Sequence, residues 1–183
     1  MDWYALFKFL HILTAVAWVG GAFVFLIASE IAQRSPGPVY AGFSAVMAKL
    51  GGAVFVPASM LTLVFGIVLT VLGWSFVDLW IILALVGIAV SVGLGKMLIG
   101  PASDRIAELA RIEGPDSPKV RAISAGILRI VRFDLVLMVV IIADMVFKPG
   151  PGDLLILSLM GAALALGALM FLTPRPVRTG VPA

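Results

Sequence analysis

Charge is excluded from long blocks of this chain. Neither Leu50 to Val77 nor Leu154 to Pro174 contains a single Asp, Glu, Lys or Arg. A helix needs about 20 apolar residues to cross the ~30 Å of hydrocarbon in a bilayer, and both blocks meet that length. A surface helix of a soluble domain keeps one polar face, whereas these blocks are apolar all round. The hydrophobic content of 62% and charged content of 13% lie far from the ~45–50% and ~25% of soluble domains. The chain therefore reads as one membrane domain with lipid as its surroundings.

Five spans are expected, at about Trp3 to Ser29, Ala41 to Trp74, Leu79 to Gly100, Phe133 to Phe147 and Leu154 to Leu172. They must be helices: the runs lack the alternation of a membrane strand, and lipid offers backbone groups no partner outside a helix or closed barrel. The expected fold is all-α, a five-transmembrane-helix bundle. The second span is too long for the membrane, roughly 51 Å at ~1.5 Å per residue, so its Ala41 to Leu50 end, with Lys49, should project into water. Gly51, Gly52 and Pro57 are the expected kink sites.

Between the third and fourth spans, Pro101 to Arg132 carries most of the charge and reads as a cytoplasmic helical hairpin. Ser103 is placed to cap a helix ending near Ile112, Gly114 and Pro115 break it, and Ser117 followed by Pro118 suits the start of a second. Ile106, Leu109 and Ile112 share one face of the first helix, and Ile123, Ile127 and Ile130 one face of the second.

Basic residues set the orientation. Arg34, Lys49, Arg105, Arg111, Lys119, Arg121, Arg129, Arg132, Arg175 and Arg178 fall on one side of a five-span arrangement, against Lys8 and Lys148 on the other. Positive charge stays cytoplasmic, giving an outside N-terminus and a cytoplasmic C-terminus in a bacterial inner membrane. Trp3, Tyr4, Trp74 and Trp80 then form an outer aromatic belt. The net charge of +3 follows from this topology and implies no nucleic-acid partner. The first span lacks a basic leader and a small-residue cleavage site, so it is expected to be retained rather than removed as a signal peptide. Cysteine is absent, which excludes disulfides, thiolate metal sites and covalent haem attachment through C-x-x-C-H. No Walker loop, H-E-x-x-H or G-x-S-x-G occurs.

Function must then rest on a few polar residues within the spans. His11, the single histidine, shares a stripe of the first helix with Ala15, Trp18 and Ala22. The stripe can seat a flat cofactor with the imidazole on its metal, Ala15 leaving room and Trp18 covering the ring; equally, His11 can be interhelical glue. Asp144 on the fourth span matches the depth of His11 and is placed either to orient the imidazole or to pair with Lys148 one turn on. If His11 binds haem iron, Met138 is the best-matched sixth ligand of this chain, the alternatives being a vacant position or a histidine from a second subunit; otherwise Met138 is ordinary packing. Glu30, Lys96, Arg132 and Asp134 come at similar depth near the other face, where ion pairs among them are expected.

The segments KFLHILTAVAWVGG, Lys8 to Gly21, and DMVFKP, Asp144 to Pro149, resemble the bacterial integral-membrane family catalogued as domain of unknown function 2269. The first segment is also similar to the first helix of copper-resistance protein D and, more loosely, to HemJ-type protoporphyrinogen oxidase. Proteins of the HemJ type bind haem b through a first-helix histidine, so the resemblance implies that His11 is a haem b ligand.

Three functions follow as expectations: a haem-b-associated or redox-related membrane protein with His11 as axial ligand, a noncatalytic accessory subunit, or a small permease. The accessory reading uses the small-residue face of Gly161, Ala165 and Ala168 to join a homo-oligomer or a larger complex.

Overall fold

The computed structural model describes residues 2–173, with the side chains at 38, 41, 44, 45, 47, 48, 51 and 52 left aside. Arg175 and Arg178 lie outside the described residues. All regular structure among the described residues is helical, in seven α-helices: α1 (Trp3–Gln33), α2 (Gly37–Leu50), α3 (Val56–Gly73), α4 (Leu79–Leu94), α5 (Gly100–Glu113), α6 (Pro118–Phe147) and α7 (Leu154–Phe171). Four helical stretches are long and apolar enough to cross a membrane: Trp3–Gln33, Ala53–Gly73, Leu79–Glu113 and Leu154–Phe171. Large apolar side chains lie open around them, Val16, Val71 and Leu155 among them, as suits a lipid solvent.

Two joints, one expected as a kink and the other as the break before a separate hairpin, are continuous helix. A π-helical turn, Gly51–Phe55, links α2 to α3, and a second, Gly95–Ile99, links α4 to α5. The first falls on the expected kink, where paired glycines tolerate the wider turn. The second removes the expected start of a separate hairpin at Ser103. Ser103 caps nothing; its hydroxyl donates to the Ile99 carbonyl at 2.8 Å, a back-bond compatible with an uninterrupted helix. Pro101 directly follows the π-helical turn, where the helix already departs from regular α bonding.

The turn between α5 and α6 follows the sequence closely. Gly114 has φ +91, the left-handed region a glycine enters without steric cost, and the Ser117 side chain accepts from the Val120 amide at 3.3 Å with Pro118 at the first position. From there α6 runs unbroken for 30 residues, so the expected second hairpin helix and the span from Phe133 are one element. At this end Val120 packs with Ala32 and Tyr40, and Ile106 and Leu109 pack against them; Ile112 is exposed. Arg121 ties the layers together, donating to the carbonyls of Gln33 (2.8 Å) and Ser35 (3.0 Å) with its guanidinium 4.7 Å from the Tyr40 ring.

Helix α1 packs mainly on α3, while α6 sits among α1, α4 and α7. Antiparallel α4 and α6 come together at Gly87, where a Cβ would lie 2.8 Å from Ile141 Cγ1. The central cluster is Trp18, Ala22, Ala58, Ile88, Leu135 and Met138. Helix α7 leans mainly on α6, with Gly167 against Val136.

Candidate functional site around His11

The α1–α3 interface fixes the histidine. His11 Nδ1 lies 2.8 Å from the Thr62 carbonyl oxygen, and since a carbonyl only accepts, Nδ1 carries the proton. In the neutral ring, Nε2 then holds the lone pair. The ring reaches this carbonyl over Gly66, where an added Cβ would meet His11 Cε1 at 3.1 Å. The Thr62 hydroxyl is occupied in its own helix, donating to Ala58 at 2.8 Å. Thr14, one turn along α1, likewise donates to the carbonyls of Leu10 and His11. His11 and Ala15 are half-buried.

The other residues of the expected site are dispersed. Trp18 and Met138, 7% and 5% exposed, belong to the same central cluster. Met138 is thus level with Trp18, seven residues and ~10 Å along α1 from His11. The expected match of depth between Met138 and His11 is corrected accordingly: the sulfur is core filling about two turns away.

Asp144 does share the depth of His11, being six residues from Met138 toward the Trp74 end. No bond joins them. Asp144 is 1% exposed and neither carboxylate oxygen has a hydrogen-bond partner. The expected Asp144–Lys148 pair does not form either. Lys148, which caps α6 in a left-handed conformation, places its ammonium 4.7 Å from the Trp74 ring and 5.7 Å from Trp80. These indoles meet edge to face, and Trp74 Nε1 donates to the Tyr4 hydroxyl at 2.9 Å. Three of the four expected belt aromatics therefore gather at one end of the bundle, around a lysine.

Toward the opposite end, Arg132 Nε donates to Glu30 Oε1 at 2.9 Å and a second guanidinium nitrogen joins the same oxygen. This is one of the expected ion pairs. Asp134 instead keeps Oδ1 buried without a partner. Lys96 is exposed, with no carboxylate within salt-bridge reach among the described residues.

Two participants had not been singled out, Thr62 and Gly66. The sequence signal for them is faint: a threonine and a glycine four apart within an apolar helix, which only a facing polar side chain makes meaningful.

A haem needs an axial donor and a place for its ring. His11 Nε2 meets the first requirement, with Nδ1 anchored to a backbone carbonyl as metal-ligating imidazoles usually are. Trp18 and Met138 do not supply the second, since both are committed to the core. The fit is to one axial nitrogen. No family model, curated protein or solved structure matches the chain.

Proposed function

We propose that this is a five-span protein of the bacterial inner membrane, N-terminus outside and C-terminus cytoplasmic, with a haem-b-associated redox role in which His11 is the single axial ligand. The observation that carries the reading is the Nδ1 bond to the Thr62 carbonyl, which fixes the tautomer that leaves Nε2 available. The loose likeness of Lys8 to Gly21 to the first helix of HemJ-type protoporphyrinogen oxidase points the same way. Bound haem would supply one-electron chemistry. The chain's part is to hold the imidazole through Thr62 and Gly66 and to keep that region apolar. The fifth span is the second half of α6, supported by its place among α1, α4 and α7. With it, the basic loops share one side and the Tyr4, Trp74 and Trp80 group lies on the other.

The absorption spectrum of protein purified in mild detergent tests the role. A Soret band lost in His11→Ala and kept in Met138→Leu is expected; a colourless, metal-free preparation overturns it.

One observation favours a second reading, an accessory subunit of a homo-oligomer or larger membrane complex. Ser158, Gly161, Ala162 and Ala165 are exposed on α7, and a Cβ on Gly161 would meet nothing within 4 Å. Small residues at this spacing let another helix approach closely. Gentle extraction and native sizing distinguish the readings: a partner-free monomer that is coloured supports the first, and a colourless assembly the second.

A further inference from the structure

Between α1 and α7 runs a groove of about 400 Å³ whose floor is α6. Phe23 and Leu26 form one wall, Ala163 and Phe171 the other, and Leu135, Val136, Val139 and Val140 the floor. Every one of these side chains is apolar. The exception is Arg132, at one end. Along α6 the apolar floor extends eight residues from Arg132 to Val140, ~12 Å.

The charge at the Arg132 end is not balanced. Arg132 shares its charge with Glu30, but Arg129, one turn earlier on α6, donates to the Phe171 carbonyl at 3.0 Å and to that of Thr173. Those partners are dipoles, not carboxylates. Among the described residues, two guanidiniums and one carboxylate leave one net positive charge where the groove meets the end of α7. An occupant matched to this shape is apolar for about a dozen ångströms and anionic at one end.

We propose that this groove is a binding site for an anionic phospholipid, with an acyl chain along Val136, Val139 and Val140 and the headgroup phosphate at Arg132 and Arg129. Basic residues between membrane helices on one leaflet suit such headgroups. A partner's apolar helix would fill the groove but leave the charge unmatched. The site is separate from His11, which lies toward the other end of α1.

The test is native mass spectrometry of the full chain in detergent, after delipidation and addition of phosphatidylglycerol or phosphatidylethanolamine. One phosphatidylglycerol per chain is expected, bound roughly fivefold more tightly than the zwitterionic lipid, the factor that ~1 kcal/mol for one cationic side chain gives. Arg129→Gln should erase the preference, and the groove-filling Ala163→Trp should abolish retention of both lipids. Val139→Trp is a second filling variant, should the first fail to fold. Inorganic phosphate should not compete, because the acyl chain carries much of the binding. Equal binding of the two lipids, retention in both filling variants, competition by phosphate alone, or a second copy of the chain excluding lipid would each overturn the proposal.

Discussion

Asp144 and Lys148 stand one turn apart at the end of α6, yet the ammonium lies over the rings of Trp74 and Trp80 while both carboxylate oxygens stay buried without a partner. An (i, i+4) acid and base on a continuous helix would face each other. Lys148 is not on a continuous helix: its φ of 46 and ψ of 56 put it in the left-handed conformation that ends many helices, and Pro149 after it cannot continue one. The redirected side chain finds aromatic faces instead.

Independence of the two groups is the first expectation. Asp144→Leu should raise stability by about 1–3 kcal/mol, since a buried polar group without hydrogen bonds costs that much. Lys148→Ala should lower it by ~0.5–2 kcal/mol through loss of the cation–π contact. Thermal unfolding in detergent, run as a double-mutant cycle, should give additive effects within ~0.5 kcal/mol. A large favourable coupling between them would contradict the arrangement.

Glu30 and Arg132 should behave in the opposite way. Their side chains are 32% and 33% exposed, so the pair is neither fully screened nor fully dry. Either Glu30→Gln or Arg132→Gln should cost about 1–2 kcal/mol, between the exposed and buried extremes. The double variant should cost less than the two single losses combined, and additive losses in a denaturation series would show that no pairing exists in the membrane.

How far the residues disclosed this structure differs between its parts. Gly51 and Gly52 marked a kink, which the structure realises as a π turn, and Gly114, Ser117 and Pro118 marked a helix break and restart, because each acts locally on the backbone. Partnerships across helices were less visible. Ion pairing among Glu30, Lys96, Arg132 and Asp134 could be expected because charge in an apolar setting demands a counter-charge, but which of the four would pair was not legible. The acceptor for His11 is a main-chain carbonyl, which no residue type announces. Met138 looked level with His11 when its depth was counted from the end of its own helix; the packing of α6 on α1 places it with Trp18. Lys148 needed its three-dimensional end to be known before its side chain could be aimed.

The His11 contact makes a third expectation. His11→Ala should lose ~0.6–1.7 kcal/mol, between the average and the largest polar contact measured between membrane helices. Gly66→Ala should also destabilise, by crowding the ring from 3.1 Å. Loss of the Nδ1 resonance's protection from exchange in Gly66→Ala, followed by nitrogen-detected magnetic resonance, would report the broken bond; an unchanged imidazole signal in that variant would refute it.

Membrane topology can be read chemically because the chain has no cysteine. Single substitutions Ser75→Cys and Gly152→Cys should react with an impermeant maleimide added outside intact cells. Asp116→Cys should react only after the cells are opened. Labelling of Gly152→Cys from the cytoplasmic side would mean that α6 does not cross.

The π-helical turn Gly95–Ile99 sets the phase of everything that follows it in that helix. It holds one residue more than an α turn, so a substitution that forced these same residues into plain α geometry would rotate α5 by about 100° about its axis. Ile106 and Leu109 would then swing away from Val120 and Tyr40. A change of a single codon inside a greasy helix would thus be felt in water, as the unseating of a charged layer that lies beyond it.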